Sequence, residues 1–195
     1  MSSRNLLWLD FESTGLDLHD DDALEVFAVV ENSEGLQWGS AVESLVAPSD
    51  EALARAHGNQ FVEPMHTVNG LFDDIEAARN AGTLPTLTQV ETSIIAMLEE
   101  TGSRKGRVTL AGSGVGHFDI LFIQARMPEL ASWLTYFVHD IGVQRRAYAR
   151  ANNGALLVRV NNDKTHRAKQ DVECHLAEDA AFNALYSDAR VAKAG

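Results

Sequence analysis

Two carboxylates, Asp10 and Glu12, stand one residue apart at the end of the first apolar run, Asn5-Leu6-Leu7-Trp8-Leu9-Asp10-Phe11-Glu12-Ser13-Thr14-Gly15-Leu16. Strand side chains alternate faces with a period of two, so a strand here presents both acids on one side. Neighbouring carboxylates repel unless a cation lies between them. The pair therefore reads either as a solvated strand end or as half of a divalent-metal site. Thr14 and Gly15 follow as a tight turn, where a glycine lets a substrate approach the backbone.

Two further acids lie in fitting contexts. Asp119, in Gly116-His117-Phe118-Asp119, follows the glycine-rich run Gly112–Gly116 and opens an apolar helix. An acid in a first helical turn can also be only a dipole partner. Asp171 closes Thr165-His166-Arg167-Ala168-Lys169-Gln170-Asp171. His166 stands at the entrance of that helix and Asp171 in its second turn, so both can face one cavity. His175 and Asp179 compete for this role, but their i,i+4 spacing reads as a surface ion pair or hydrogen bond.

These residue types belong together chemically. Hard ions such as Mg²⁺ take oxygen ligands and complete their shells with water and phosphate oxygens. Two of them roughly 4 Å apart stabilise both the attacking and the leaving oxygen of an in-line phosphoryl displacement. In that scheme Asp10 bridges the ions, and Glu12, Asp119 and Asp171 surround them. A histidine, whose side chain titrates near neutrality, can deprotonate the attacking water.

The elements that must position these groups follow from the apolar pattern. After the Asp10 strand, Ala23–Glu31 reads as a second strand, Asn32-Ser33-Glu34-Gly35 as a turn and Leu36–Val46 as a third strand, an antiparallel meander. Thr67–Ala81 reads as a helix stopped by Gly82. A second helix opens at Leu84-Pro85-Thr86, with Thr86 as N-cap and Val90, Ile94, Met97 and Leu98 on one face. Arg107–Ala111 is a short strand, Phe118–Arg126 a helix ending near Pro128, Tyr136–Asp140 the fifth strand and Ile141–Arg150 a helix. Ala151–Thr165 reads as a loop or small hairpin. Arg167–Ala189 closes the pattern as a helix with Val172, Leu176, Ala180 and Ala184 on one face. Alternating helices and strands after a meander imply a mixed sheet with helices on its faces.

Composition narrows the class. At 195 residues and 45% hydrophobic, the chain suits one α/β domain. It has no 18-residue apolar run, so no membrane span is expected. Only five residues separate Arg4 from Asp10, too few for a signal peptide. The single cysteine, Cys174, excludes an internal disulfide, suits a reducing cytoplasm and reads as a partly buried helix residue. A net charge of −12 argues against a protein that coats nucleic acid. Ile141–Gln170 nevertheless holds seven cations against one acid, Asp163. A basic patch on an acidic body fits a short anionic ligand, unless it is simply a solvated face.

With these motifs assembled, the chain resembles the DnaQ-like 3′→5′ exonucleases that carry four acids and a histidine (the DEDDh group), and among them most the oligoribonucleases. Trp8–Asp17 matches the first family motif. Gly116-His117-Phe118-Asp119, followed by Met127-Pro128-Glu129-Leu130, matches the second. Thr165–Asp171 matches the third, with four residues between His166 and Asp171; His175 and Asp179 have only three. The resemblance covers nearly the whole chain as a single exonuclease domain, residues 1–195.

It implies an α/β, ribonuclease-H-like fold with a mixed five-stranded sheet flanked by helices. It implies two Mg²⁺ or Mn²⁺ ions, catalytic Asp10, Glu12, Asp119, His166 and Asp171, and release of nucleoside 5′-monophosphates from short single-stranded RNA. A homodimer is implied too. Leu16 matches a residue that wedges against terminal bases, and Thr14 and Gly15 match a turn near the terminal nucleotide. Ser13 and Ser113 join them as candidate substrate contacts. His66-Thr67-Val68-Asn69-Gly70-Leu71 resembles a subfamily segment with Asn69 in place of serine, which makes His66 and Asn69 candidates as well. Tyr136 matches a tyrosine that reaches the partner subunit's site. The sequence departs from the subfamily in the glycine-rich Gly112–Gly116 approach and across Ala151–Lys164, which leaves strand length and sugar preference open. The alternatives are a proofreading-type single-strand DNA exonuclease and a catalytically silent nucleic-acid-binding module. The silent module would lack at least one metal-site residue, and none is missing.

Overall fold

The computed structural model describes residues 5–158 and 166–191. Strand β1 (Asn5–Ser13) pairs antiparallel with β2 (Ala23–Asn32), and β3 (Gly35–Leu36) and β4 (Val42–Leu45) both pair with the far side of β2. On the other side of β1, β5 (Val108–Gly112) and β6 (Leu134–Asp140) run parallel to it and to each other. The sheet has six strands in the order β3-β2-β1-β5-β6, with β4 also on β2. The expected count of five fails because the strand read over Leu36–Val46 is two strands, broken by a 3₁₀ turn at Trp38–Ser40. Gly39 and Ser40 favour a turn over a pleat, and Trp38 folds back to within 6.3 Å of the Phe27 ring.

Alternation decides which face each site residue occupies. Leu7, Leu9 and Phe11 point into one core with Val90, Ile94, Met97 and Leu98 of α4 (Leu87–Glu100) and Phe122 and Ile123 of α5 (Asp119–Arg126). The even-numbered Trp8 points to the opposite core, made with Phe27, Val29 and Ala111 and roofed by Ile141 of α7 (Ile141–Ala151) and Ala168, Val172 and Phe182 of α8 (Ala168–Val191). Asp10 and Glu12 share the parity of Trp8 and therefore emerge on the α8 side. A third cluster seats α1 (Asp50–His57), α2 (Val62–Val68) and α3 (Leu71–Ala81) around Leu24.

The helix expected over Thr67–Ala81 is broken. Gly70 takes φ +76° and separates α2 from α3, while Gly82 at φ +65° ends α3 as expected. Thr86 caps α4 in a reciprocal box with Gln89. Pro128 not only ends a helix but opens α6 (Pro128–Ala131). The buried face of α8 is Ala168, Asp171, Val172, His175, Glu178, Asp179 and Phe182, so the expected Val172-Leu176-Ala180-Ala184 stripe is wrong beyond Leu176: Ala180 and Ala184 are exposed. Polar residues on that helix find buried partners, which an apolar count does not register. Cys174 is exposed rather than partly buried. Of the Ala151–Thr165 loop, residues 152–158 form turn and irregular backbone, and 159–165 lie outside the described residues. Among the described residues, no helix is long and apolar enough to cross a membrane.

Candidate active site

The site forms where the carboxyl end of β1 meets the start of α8. Glu12 is buried opposite Glu25 of β2 in the antiparallel register. Two buried carboxylates side by side need cations, and Glu25 has one. Arg167 reaches it through Nε (3.1 Å to each oxygen) and Nη2 (2.8 Å), and the Ala168 amide donates to it at 2.9 Å. The Arg167 Nη1 extends to Asp74 at 2.9 Å. This hydrogen-bonded pairing holds the Arg167 guanidinium above its already high pKa.

The anchor fixes the residue before it. His166 has φ +47°, a left-handed conformation uncommon for any side chain but glycine. Its carbonyl accepts from Asn69 Nδ2 at 2.5 Å. Strain of this kind persists where surroundings over-determine it, and here Arg167 and Asn69 do so. Glu12, His166 and Asp171 then each offer a ligand atom within 4.8 Å of the others.

Behind Glu12 lies His66, fully buried on α2. Its Nε2 sits 3.2 Å from the Ser13 carbonyl and 3.9 Å from the Glu12 carboxylate, and Asn69 Nδ2 is 3.5 Å from its Nδ1. A carbonyl can only accept, so Nε2 carries the proton. Burial pushes the His66 pKa down, more than the Ser13 carbonyl restores it, and favours neutral imidazole.

Asp119, the first residue of α5, is buried, and a hydrogen bond from the Phe11 backbone ties it to β1 between the two strand acids. Burial pushes its pKa up to about 7 and the nearby Asp140 adds to this, while the bonds from its own amide and from Phe11 oppose it. Asp140 caps α7, accepting from the Val143 amide (3.2 Å) and the Gly114 amide (3.1 Å).

The remaining sequence candidates separate by place. Asp10 shares the Glu12 face and is partly exposed. Thr14 is built into the loop: its hydroxyl donates to Asp21 (3.0 Å) and accepts from the Asp22 amide (2.9 Å). A Cβ on Gly15 would lie 2.2 Å from Asp21 Oδ2, so only glycine fits there. The Ser13 hydroxyl donates to the Gly15 carbonyl at 2.6 Å. Leu16 is 77% exposed beyond this turn, and Tyr136 is 85% exposed on β6 against Phe137. Ser113 stands beside Gly142. Contrary to expectation, His175 and Asp179 are not on the surface. Both are buried, and Asp179 binds His139 and Asn183, each at 2.7 Å.

Sequence reasoning missed two residues. Glu25 interrupts the apolar run of β2, and a lone acid there signals a buried partner. Asp140 is visible only as the end of a strand.

No protein-family profile matches the chain. The oligoribonuclease of Streptomyces avermitilis is 33% identical over 177 residues, covering 89% of this chain and 82% of that protein. That of Streptomyces griseus is 34% identical over 179 residues with the same coverage, and that of Cutibacterium acnes 30% identical over 177. The chain belongs to the oligoribonuclease family. As a member of the oligoribonuclease family it is a DnaQ-like 3′→5′ exonuclease, a hydrolase of phosphodiester bonds. The fold agrees: the zinc-bound E. coli ExoI–ssDNA complex matches 95% of this chain with a TM-score of 0.55 at 15% identity, a likeness of ribonuclease-H-like fold that spans 43% of the ExoI chain.

Proposed function

We propose that the chain removes nucleoside 5′-monophosphates one at a time from the 3′ end of short oligoribonucleotides, at a site held by Asp10, Glu12, Asp119 and Asp171 with His166 as general base. The convergence of Glu12, His166 and Asp171 within 4.8 Å carries this reading. The donors suit Mg²⁺ or Mn²⁺: they are predominantly carboxylate oxygens, and buried Asp119 holds its negative charge at a cost that a cation would remove. Two such ions, when bound, would supply charge stabilisation to the attacking and leaving oxygens.

The chain's own residues do the rest. His166, its backbone fixed by Asn69 and the Arg167 anchor, takes the proton of the attacking water. His66 steadies the Ser13 carbonyl and with it the turn that leads to Leu16. Leu16 offers exposed apolar surface to the unstacked terminal bases. Tyr136, on the outer strand β6, meets the partner subunit of a homodimer, and a single cysteine suits a reducing cytoplasm.

The deciding experiment uses purified protein with Mg²⁺ on 5′-labelled RNA dinucleotides, longer RNA strands and the matching DNAs, with a chelator control. Chelator-sensitive release from short RNA is expected. Preferential shortening of DNA would make it a single-strand DNA exonuclease, and no cleavage of any substrate would leave only a binding module.

A further inference from the structure

Three of the five described cations in the basic stretch after β6 are committed. Arg145 grips buried Glu178 from both Nε and Nη2, Arg167 holds Glu25 and Asp74, and Lys169 pairs with Glu43 at 2.7 Å. Arg146 and Arg150 are the exceptions: neither has an acidic partner among the described residues.

These two lie on one face of α7. Val143, Arg146, Ala147 and Arg150 are all exposed, and their i, i+3, i+4, i+7 spacing makes a single outward stripe, while Ile141, Arg145 and Tyr148 turn inward. The two arginines are one turn apart, about 6 Å along the axis.

The stripe begins at the acidic site. α7 is capped by Asp140, the acid that faces Asp119. A Cβ on Gly142 would meet the Ser113 hydroxyl and Asp140 Oδ1 at 3.0 Å and the Arg146 Nη1 at 3.1 Å. The missing side chain is what lets the Arg146 guanidinium fold back beside the glycine-rich second motif. From there the positive row runs outward across a body whose net charge is −12. On a body of net negative charge, such a row is a favourable place for a nucleic-acid backbone.

We propose that the outward face of α7 binds the backbone phosphates upstream of the scissile nucleotide, Arg146 the nearer and Arg150 the next, so that strands of several nucleotides are held as substrates. This rests on the nuclease function above.

The test compares parent, the Arg146→Ala/Arg150→Ala double variant, Arg150→Glu and the distant surface control Lys105→Ala. The probes are labelled RNAs from two to eight nucleotides with phosphorothioate linkages at the 3′ end, read by fluorescence anisotropy in Mg²⁺ across a salt series; kcat/KM on the unmodified RNAs runs in parallel. The double variant should lose affinity increasingly with length, about 10-fold for the octamer, with the salt slope shallower by roughly 1.4 for two lost phosphate contacts. Arg150→Glu should weaken the octamer further, and Lys105→Ala should match the parent. An equal loss for dimer and octamer, an unchanged slope, or a parent that binds the octamer no better than the dimer would each overturn the proposal. If the parent binds in this arginine-dependent way but cuts nothing, the nuclease function fails and the α7 track stands. If it cuts without arginine dependence, the track alone fails.

Discussion

Glu25 and Asp119 flank β1 at almost the same depth, 6% and 7% exposed, yet their surroundings are opposite. Glu25 receives a forked guanidinium and a backbone amide. Asp119 receives amides but faces another acid, Asp140, and its pKa rises to about 7. One buried charge is neutralised by the fold, and the other is left for something the chain does not itself provide. The same strand thus separates a carboxylate whose charge the fold pairs from one whose charge burial and a neighbouring acid disfavour.

Substitutions can break this contrast or sharpen it. Asp10→Ala should abolish 3′-end release while leaving the melting temperature equal or higher, because it relieves carboxylate crowding; measurable turnover on the RNA ladder would remove the metal site. His166→Ala should slow kcat by about 10²–10⁴-fold, the usual contribution of a general base. A larger loss from His175→Ala would move the base from the entrance of α8 to the histidine within it.

Arg167→Ala strips Glu25 of its cation and should cost about 3–5 kcal/mol in urea unfolding, the penalty for stranding a buried charge. Adding Glu25→Gln should recover much of it; failure to recover would show that the pair is not what anchors α8.

Asp119→Asn should do the reverse and stabilise the metal-free protein. Its folded pKa is raised from 3.8 to about 7, so the group favours folding fully only below pH about 4, and that contribution disappears as pH rises to about 7. The variant's advantage, on the order of 2–4 kcal/mol, should therefore be seen at pH 8, vanish near pH 4, and shrink at pH 8 when Mg²⁺ is added. Parallel melting curves at both pH values would show whether the cost is there.

Which candidate residues converge was more legible in the sequence than the scaffold around them: Glu12, His166 and Asp171 do come together. Asp10, Glu12, Asp119, His166 and Asp171 stand in short motifs whose spacing survives any error in element boundaries, and the period of two placed the first pair on one face. The breaks were harder. Nothing local distinguishes the Gly70 that splits α2 from α3 from a glycine tolerated within a helix. A 3₁₀ turn at Trp38–Ser40 depends on the Trp38 ring finding Phe27. His175 and Asp179 were misplaced because i,i+4 spacing tells which residues share a helix face but not whether that face is covered. Covering it takes His139, from a strand that spacing along α8 cannot see.

The Glu25–Arg167 contact joins residues 142 apart in sequence. Closing a loop of that length costs about 4 kcal/mol of chain entropy, which the buried ion pair and the packing of α8 must offset. The sheet itself closes a comparable loop, from Asn5 to Val108, so strand pairing and the Glu25–Arg167 anchor draw on entropy of similar size. The backbone at His166, next to Arg167, is thus set by a strand at the far end of the sequence rather than by its own neighbours along the chain.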